Sequence, residues 1–199
     1  MLYFRKIDMM LWEGKNLHDT MSLYDLRSSD NDISVWKNDG SQEQINKLAL
    51  AFELTIGRIT DMNYINIPDK ELERKGFEFH EEQSSTPFLP MREFHTNIII
   101  PTLYEQGDLA EIIYNLIQSG ECKYITEQEI KEAFYKAIKA DEIIIDFNNR
   151  KFRSLRKPLK EMENEMEPID FSELQNVKDI DKRRKVCPKC NGSGFVFLN

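Results

Sequence analysis

Cys187-Pro188-Lys189-Cys190 places two thiols three positions apart near the end of the 199-residue chain. Deprotonated, two thiolates on so short a loop can grip one tetrahedral ion, and zinc is the metal such spacing suits. Asn191-Gly192-Ser193-Gly194 follows directly. Those glycines permit backbone conformations near the sulfurs that a Cβ would forbid. A redox reading of the pair is weaker. A thioredoxin-like pair begins a helix, whose N-terminus lowers the thiol pKa, and Asn-Gly-Ser-Gly does not begin one.

The eight residues from Cys187 to Gly194 resemble one CxxCxGxG repeat of the DnaJ-type cysteine-rich zinc domain. In that family such repeats come in pairs, so that four cysteines surround each zinc. This chain has one repeat, hence half a site. Three completions are open: a second copy supplies another Cys187 and Cys190, a partner protein supplies two ligands, or Cys122 joins one of His18, His80 and His95 within the chain. The absence of any bound metal is the fourth possibility.

Lys182-Arg183-Arg184-Lys185 and Lys189 flank the thiols. Cations beside a zinc knuckle can lie on phosphates, although a solvated charge run after an acidic one is the blander reading. A second basic group, Arg150, Lys151, Arg153, Arg156 and Lys157, occupies an expected hairpin. The candidate nucleic-acid residues are therefore Arg150, Lys151, Arg153, Arg183, Arg184 and Lys185. The terminal Phe195-Val196-Phe197-Leu198 is apolar and suits a strand on the zinc loop or an anchor for a partner.

Catalytic signals are sparse. His18 adjoins Asp19 and His95 lies near Glu93, but a histidine base also needs a nucleophile in reach. No GxSxG, HExxH or phosphate-cradling glycine loop is present. Trp12, Trp36 and Tyr64 read as core residues. Asp30, Asn31 and Asp32 read as a polar turn rather than a cation site.

The elements that must carry these residues begin with a strand at Leu2–Ile7. Alternation predicts a second strand at Ser22–Arg27, paired antiparallel with Ile33–Lys37 across Ser28–Asp32. Ser41 and Gln44 form a capping-box pattern before Ile45, Leu48, Ala49, Phe52 and Ile56, so residues 42–55 form a helix stopped by Gly57. A strand follows at 62–67, then a short helix to Gly76. Residues 77–92 are irregular, and the prolines of Thr86-Pro87-Phe88-Leu89-Pro90 forbid a helix there. Asn97–Pro101 is a buried strand or a helix lead-in. Helices are predicted at 108–118 and, behind the Thr126/Glu129 capping box, at 126–140. Glu142–Phe147, Asn148-Asn149 and Arg150–Leu155 read as a hairpin, since Asn tolerates the positive φ of a tight turn. Residues 158–186 are charge-rich and form a linker, an arm or an isolated helix.

The composition fits this layout: 40% apolar residues, enough for one core, and a net charge of −8 that disfavours a general DNA coat. No run approaches the ~20 apolar residues of a membrane span, and no signal-peptide order is seen at the start. Three cysteines, two of them closely spaced, suit a reducing compartment. The expectation is a cytoplasmic α+β protein: a small antiparallel sheet with packed helices at 1–105, a winged-helix-like helix-helix-hairpin module at 106–157, a charged arm at 158–185 and a zinc-knuckle tail at 186–199. That suits a non-enzymatic adaptor or subunit of a bacterial or phage multi-protein system, working with a protein partner or as a homo-oligomer and without a membrane. A nucleic-acid-binding accessory factor and an enzyme with a site at His18 or His95 are the alternatives.

Overall fold

Leu2-Tyr3-Phe4-Arg5-Lys6-Ile7 alternates large apolar side chains between two faces, which a strand at the centre of a sheet requires. In the computed structural model, which describes residues 1–16, 20–26, 31–165, 185–186 and 195–196, it is β1 (Leu2–Ile7) and pairs antiparallel on both sides. Tyr3 and Ile7 are buried on one face and Phe4 on the other.

The chain continues through α1 (Thr20–Asp25), β2 (Asp32–Asn38), α2 (Gln42–Ile56), β3 (Met62–Pro68), α3 (Asp69–Lys75), β4 (Phe79–Glu81), β5 (His95–Ile99), α4 (Leu103–Gln118), β6 (Lys123–Ile125), α5 (Glu127–Lys139) and α6 (Arg156–Glu165). Short 3-10 turns lie at Met9–Leu11, Leu89–Phe94 and Arg150–Leu155. The sheet order is β4-β5-β2-β1-β3-β6, every neighbouring pair antiparallel. A separate two-residue ladder joins β7 (Lys185–Val186) to β8 (Phe195–Val196), with Val186 opposite Phe195.

Helices cover both faces. Phe4, Trp36 and Tyr64 meet Leu48, Phe88, Phe134 and Leu159 on one face; Ile7, Val35 and Ile67 meet Trp12, Leu72, Leu109 and Ile113 on the other. The three aromatics read as core residues are each buried. The α+β class with an antiparallel sheet and packed helices is as expected. The expected stretches 1–105 and 106–157 share this sheet and both cores, because β6 pairs with β3.

The helix caps match the sequence closely. Thr126 and Glu129 form the full reciprocal box at the start of α5. At α2, Ser41 accepts from the Gln44 amide, but Gln44 reaches past Ser41 to the Asp39 amide at 2.6 Å. Gly57 ends α2 at φ +79.

Two expectations are overturned. Ser22–Arg27 is not a strand: Thr20–Asp25 is helical, and β2 takes β1 and β5 as its partners. Leu23 and Leu26, three apart, both pack inward, which a helix turn satisfies. Gln106 Nε2 donates to the carbonyls of both, and Arg5 to that of Asp25, so the free end of α1 is capped from the sheet and α4. The second is the hairpin at 142–155, and with it the winged module. Ile143 bridges Phe88 instead, with hydrogen bonds Leu89 N to Glu142 O and Ile144 N to Pro87 O. Asn149 accepts from Lys151 N and so starts a 3-10 turn rather than reversing a ladder. Leu155, Leu159 and Met162, at helical spacing, then bury against the α5 side of the core. The first eight residues of the expected arm, 158–165, therefore belong to a docked helix that begins at Arg156.

Candidate functional site

The register of β2, β5 and β4 gathers polar side chains on one sheet face: Ser34 lies opposite Asn97, and Asn97 opposite His80. Asn97 is buried, and its Nδ2 donates to Asp32 Oδ2 at 2.9 Å and Glu82 Oε2 at 2.8 Å. That fixes Oδ1 toward Ser34, 3.2 Å away, as an acceptor for the serine hydroxyl. His95 Nε2 lies 3.1 Å from the same hydroxyl and Nδ1 lies 2.8 Å from the Glu82 carbonyl. The Glu82 carbonyl only accepts, so Nδ1 carries a ring hydrogen, which leaves Nε2 of the neutral ring an acceptor, and the one Ser34 hydroxyl hydrogen serves either Nε2 or Asn97 Oδ1. Both Asn97 amide hydrogens are already taken by carboxylates, so the group lacks free donors for an oxyanion. The cluster ties three strands together. Glu93, the neighbour noted in the sequence, is not His95's partner; Trp36 is, edge to face at 5.0 Å.

The candidate zinc ligands are not all in view. Cys187, Cys190 and His18 lie outside the described residues, as do Arg183 and Arg184. Cys122 is half-buried with its Sγ 3.4 Å from Met9 Sδ, and burial raises its thiol pKa. It immediately precedes β6, whereas His80 and His95 are on β4 and β5 at the other side of the sheet. Four strand spacings separate β6 from β5, roughly 19 Å. Cys122 therefore cannot share an ion with His80 or His95. Among the described residues no three His, Cys, Asp or Glu side chains assemble as a metal-holding group.

Comparison with known proteins returned no matching family, no matching curated protein and no matching solved structure.

The basic residues of the expected hairpin do form a surface, on a different scaffold. Arg150, Lys151 and Arg153 are exposed on the 3-10 turn, and Arg156, Lys157 and Lys160 are exposed on α6. The turn lies against the end of α2: Ser154 Oγ donates to the Gly57 carbonyl at 2.8 Å, and a Cβ on Gly57 would stand 2.4 Å from Lys151 O. This brings in Arg58, which the sequence reading did not single out. Arg58 shares a cavity of about 250 Å³ with Ser154, Lys157, Lys131 and Glu161. Only the fold relates it to the later cluster, so no spacing in the sequence marks it. Lys131 is neutralised by Glu127 at 2.7 Å and Glu161 at 2.8 Å, while Lys157 has Glu161 at 3.8 Å. No helix among the described residues is long and apolar enough to cross a membrane.

Proposed function

We propose that this chain is a non-enzymatic adaptor or subunit of a bacterial or phage multi-protein system, assembling through its charged arm and a C-terminal zinc knuckle. The observation that carries the reading is the position of Cys187 and Cys190 inside an eight-residue CxxCxGxG segment whose flanking residues, 185–186 and 195–196, pair as a ladder. A ladder on both sides brings the segment's ends together, as a metal loop requires. Two thiolates leave a tetrahedral zinc two ligands short. The third cysteine is set aside against Met9, which favours ligands from another chain and makes metal capture and assembly a single event.

Native mass spectrometry with metal analysis tests the proposal. The purified chain is expected to carry one zinc per two copies, or to take up zinc together with a partner protein. Cys187→Ser is expected to lose the metal and the assembly together. A metal-free single chain with Cys187 and Cys190 alkylated as readily as free cysteine ends the proposal.

A further inference from the structure

Between Phe147 and Lys160 the chain carries Arg150, Lys151, Arg153, Arg156, Lys157 and Lys160 and no acidic residue, against a net charge of −8 for the whole. All six cations are exposed. Among the described residues, Arg58, Arg150, Arg153 and Lys160 have no carboxylate partner within ion-pair distance, and Arg156 reaches only Asn148 Oδ1 at 3.5 Å. We infer that Arg58, the 3-10 turn and the start of α6 form a docking surface for a nucleic-acid phosphate backbone.

The helix dipole does not account for the cations that open α6. A helix dipole favours acids at its start and bases at its end. In α6 the order is opposite: Arg156 and Lys157 open the helix, and Glu161, Glu163 and Glu165 close it. Arg156 and Lys157 therefore stand where the helix dipole opposes them, with Lys157 offset only by Glu161 at 3.8 Å, and a bound anion offsets the placement. The occupant follows from what the surface lacks. Leu155 and Leu159 are fully buried and Phe152 packs on the core with only part of its ring exposed, so the surface is dominated by its cations and has little of the apolar centre on which a stable protein interface is built. A phosphate backbone needs none, because release of its counterions drives the association. Pairing cations with an acidic protein segment would give only exposed ion pairs, each weak. The inference is independent of the zinc knuckle.

Fluorescence anisotropy with a short labelled DNA duplex and a labelled single-stranded RNA tests it. Both are expected to bind at low salt, the duplex with a log–log salt slope of about −4 if about four phosphates are neutralised. Arg153→Glu with Arg156→Glu is expected to weaken binding at least about tenfold, and the milder Arg153→Gln with Arg156→Gln to weaken it less. Lys70→Glu with Lys123→Glu changes net charge equally at exposed sites elsewhere and is expected to leave most of the affinity. Thermal melting followed by circular dichroism checks that each variant is folded, and the Gln pair decides if the Glu pair is not. The inference is overturned by no binding at low salt, or by equal loss in the Lys70/Lys123 control. It is equally overturned by poly-glutamate competing as well as unlabelled duplex, or by loss with Arg183→Glu and Arg184→Glu but not with the Arg153/Arg156 variants.

Discussion

Gly57 and Gly76 both end helices in the left-handed region, at φ +79 and φ +75, yet their surroundings differ. A Cβ at Gly76 meets nothing within 4 Å, whereas at Gly57 it meets the backbone of Lys151. Gly76→Ala is expected to cost about 1 kcal/mol, the conformational term alone. Gly57→Ala adds a clash with backbone, which cannot swing aside as a side chain can, and is expected to cost at least about twice as much. Urea denaturation of the two variants checks this, and equal losses would show that the 3-10 turn at Arg150 does not press on α2. At this scale the sequence was legible where one residue has one job. Gly57 as a stop and Trp12, Trp36 and Tyr64 as core residues are examples. It was less legible at Asn149, because the same side chain that tolerates a hairpin turn also caps a helix, and only the destination of the following residues distinguishes the two.

Elements long enough to combine a cap with a period were read correctly: α2 and α5 each carry both. Thr20–Asp25 was not, since six residues satisfy a two-residue and a three-to-four-residue repeat almost equally. The docked start of α6 was missed although Leu155, Leu159 and Met162 gave the signal; dense charge around them masked it. Leu159 is fully buried and packs in the same cluster as Phe134 and Ile138. Leu159→Ala is expected to destabilise the protein by about 2–5 kcal/mol. If α6 instead behaves as a solvated arm, chemical denaturation of this variant will match the wild type.

For the molecule as a whole, sheet order was beyond the sequence, because pairing β1 with β3 and β2 with β5 depends on which long connections close, and no local pattern encodes that. The candidate site divides in the same way. The thiol pair announces itself by spacing, whereas the Arg58 surface exists only once α2 and the 3-10 turn meet. Alkaline pH probes the integrity of the assembled sheet. Tyr3 of β1 stacks on Phe79 of β4 at 4.8 Å, and burial, then Asp69, raises its pKa to about 12. A phenol whose folded pKa lies above its unfolded value near 10 contributes stability that is full below about pH 10 and lost as pH rises toward 12. Tyr3→Phe is expected to lessen this alkaline loss, followed by circular dichroism between those values. An unchanged profile would place the burden on other groups.

The two outermost strands of the sheet, β4 and β6, are three residues each. A rim that short presents few unpaired amides and carbonyls to an incoming chain, and Glu81 and Lys123 add charge to it. The body of the protein is thereby closed to growth by strand addition and guarded against self-templated fibres. A partner meeting this body would be gripped through side chains, and charged contacts of that kind loosen as salt is raised.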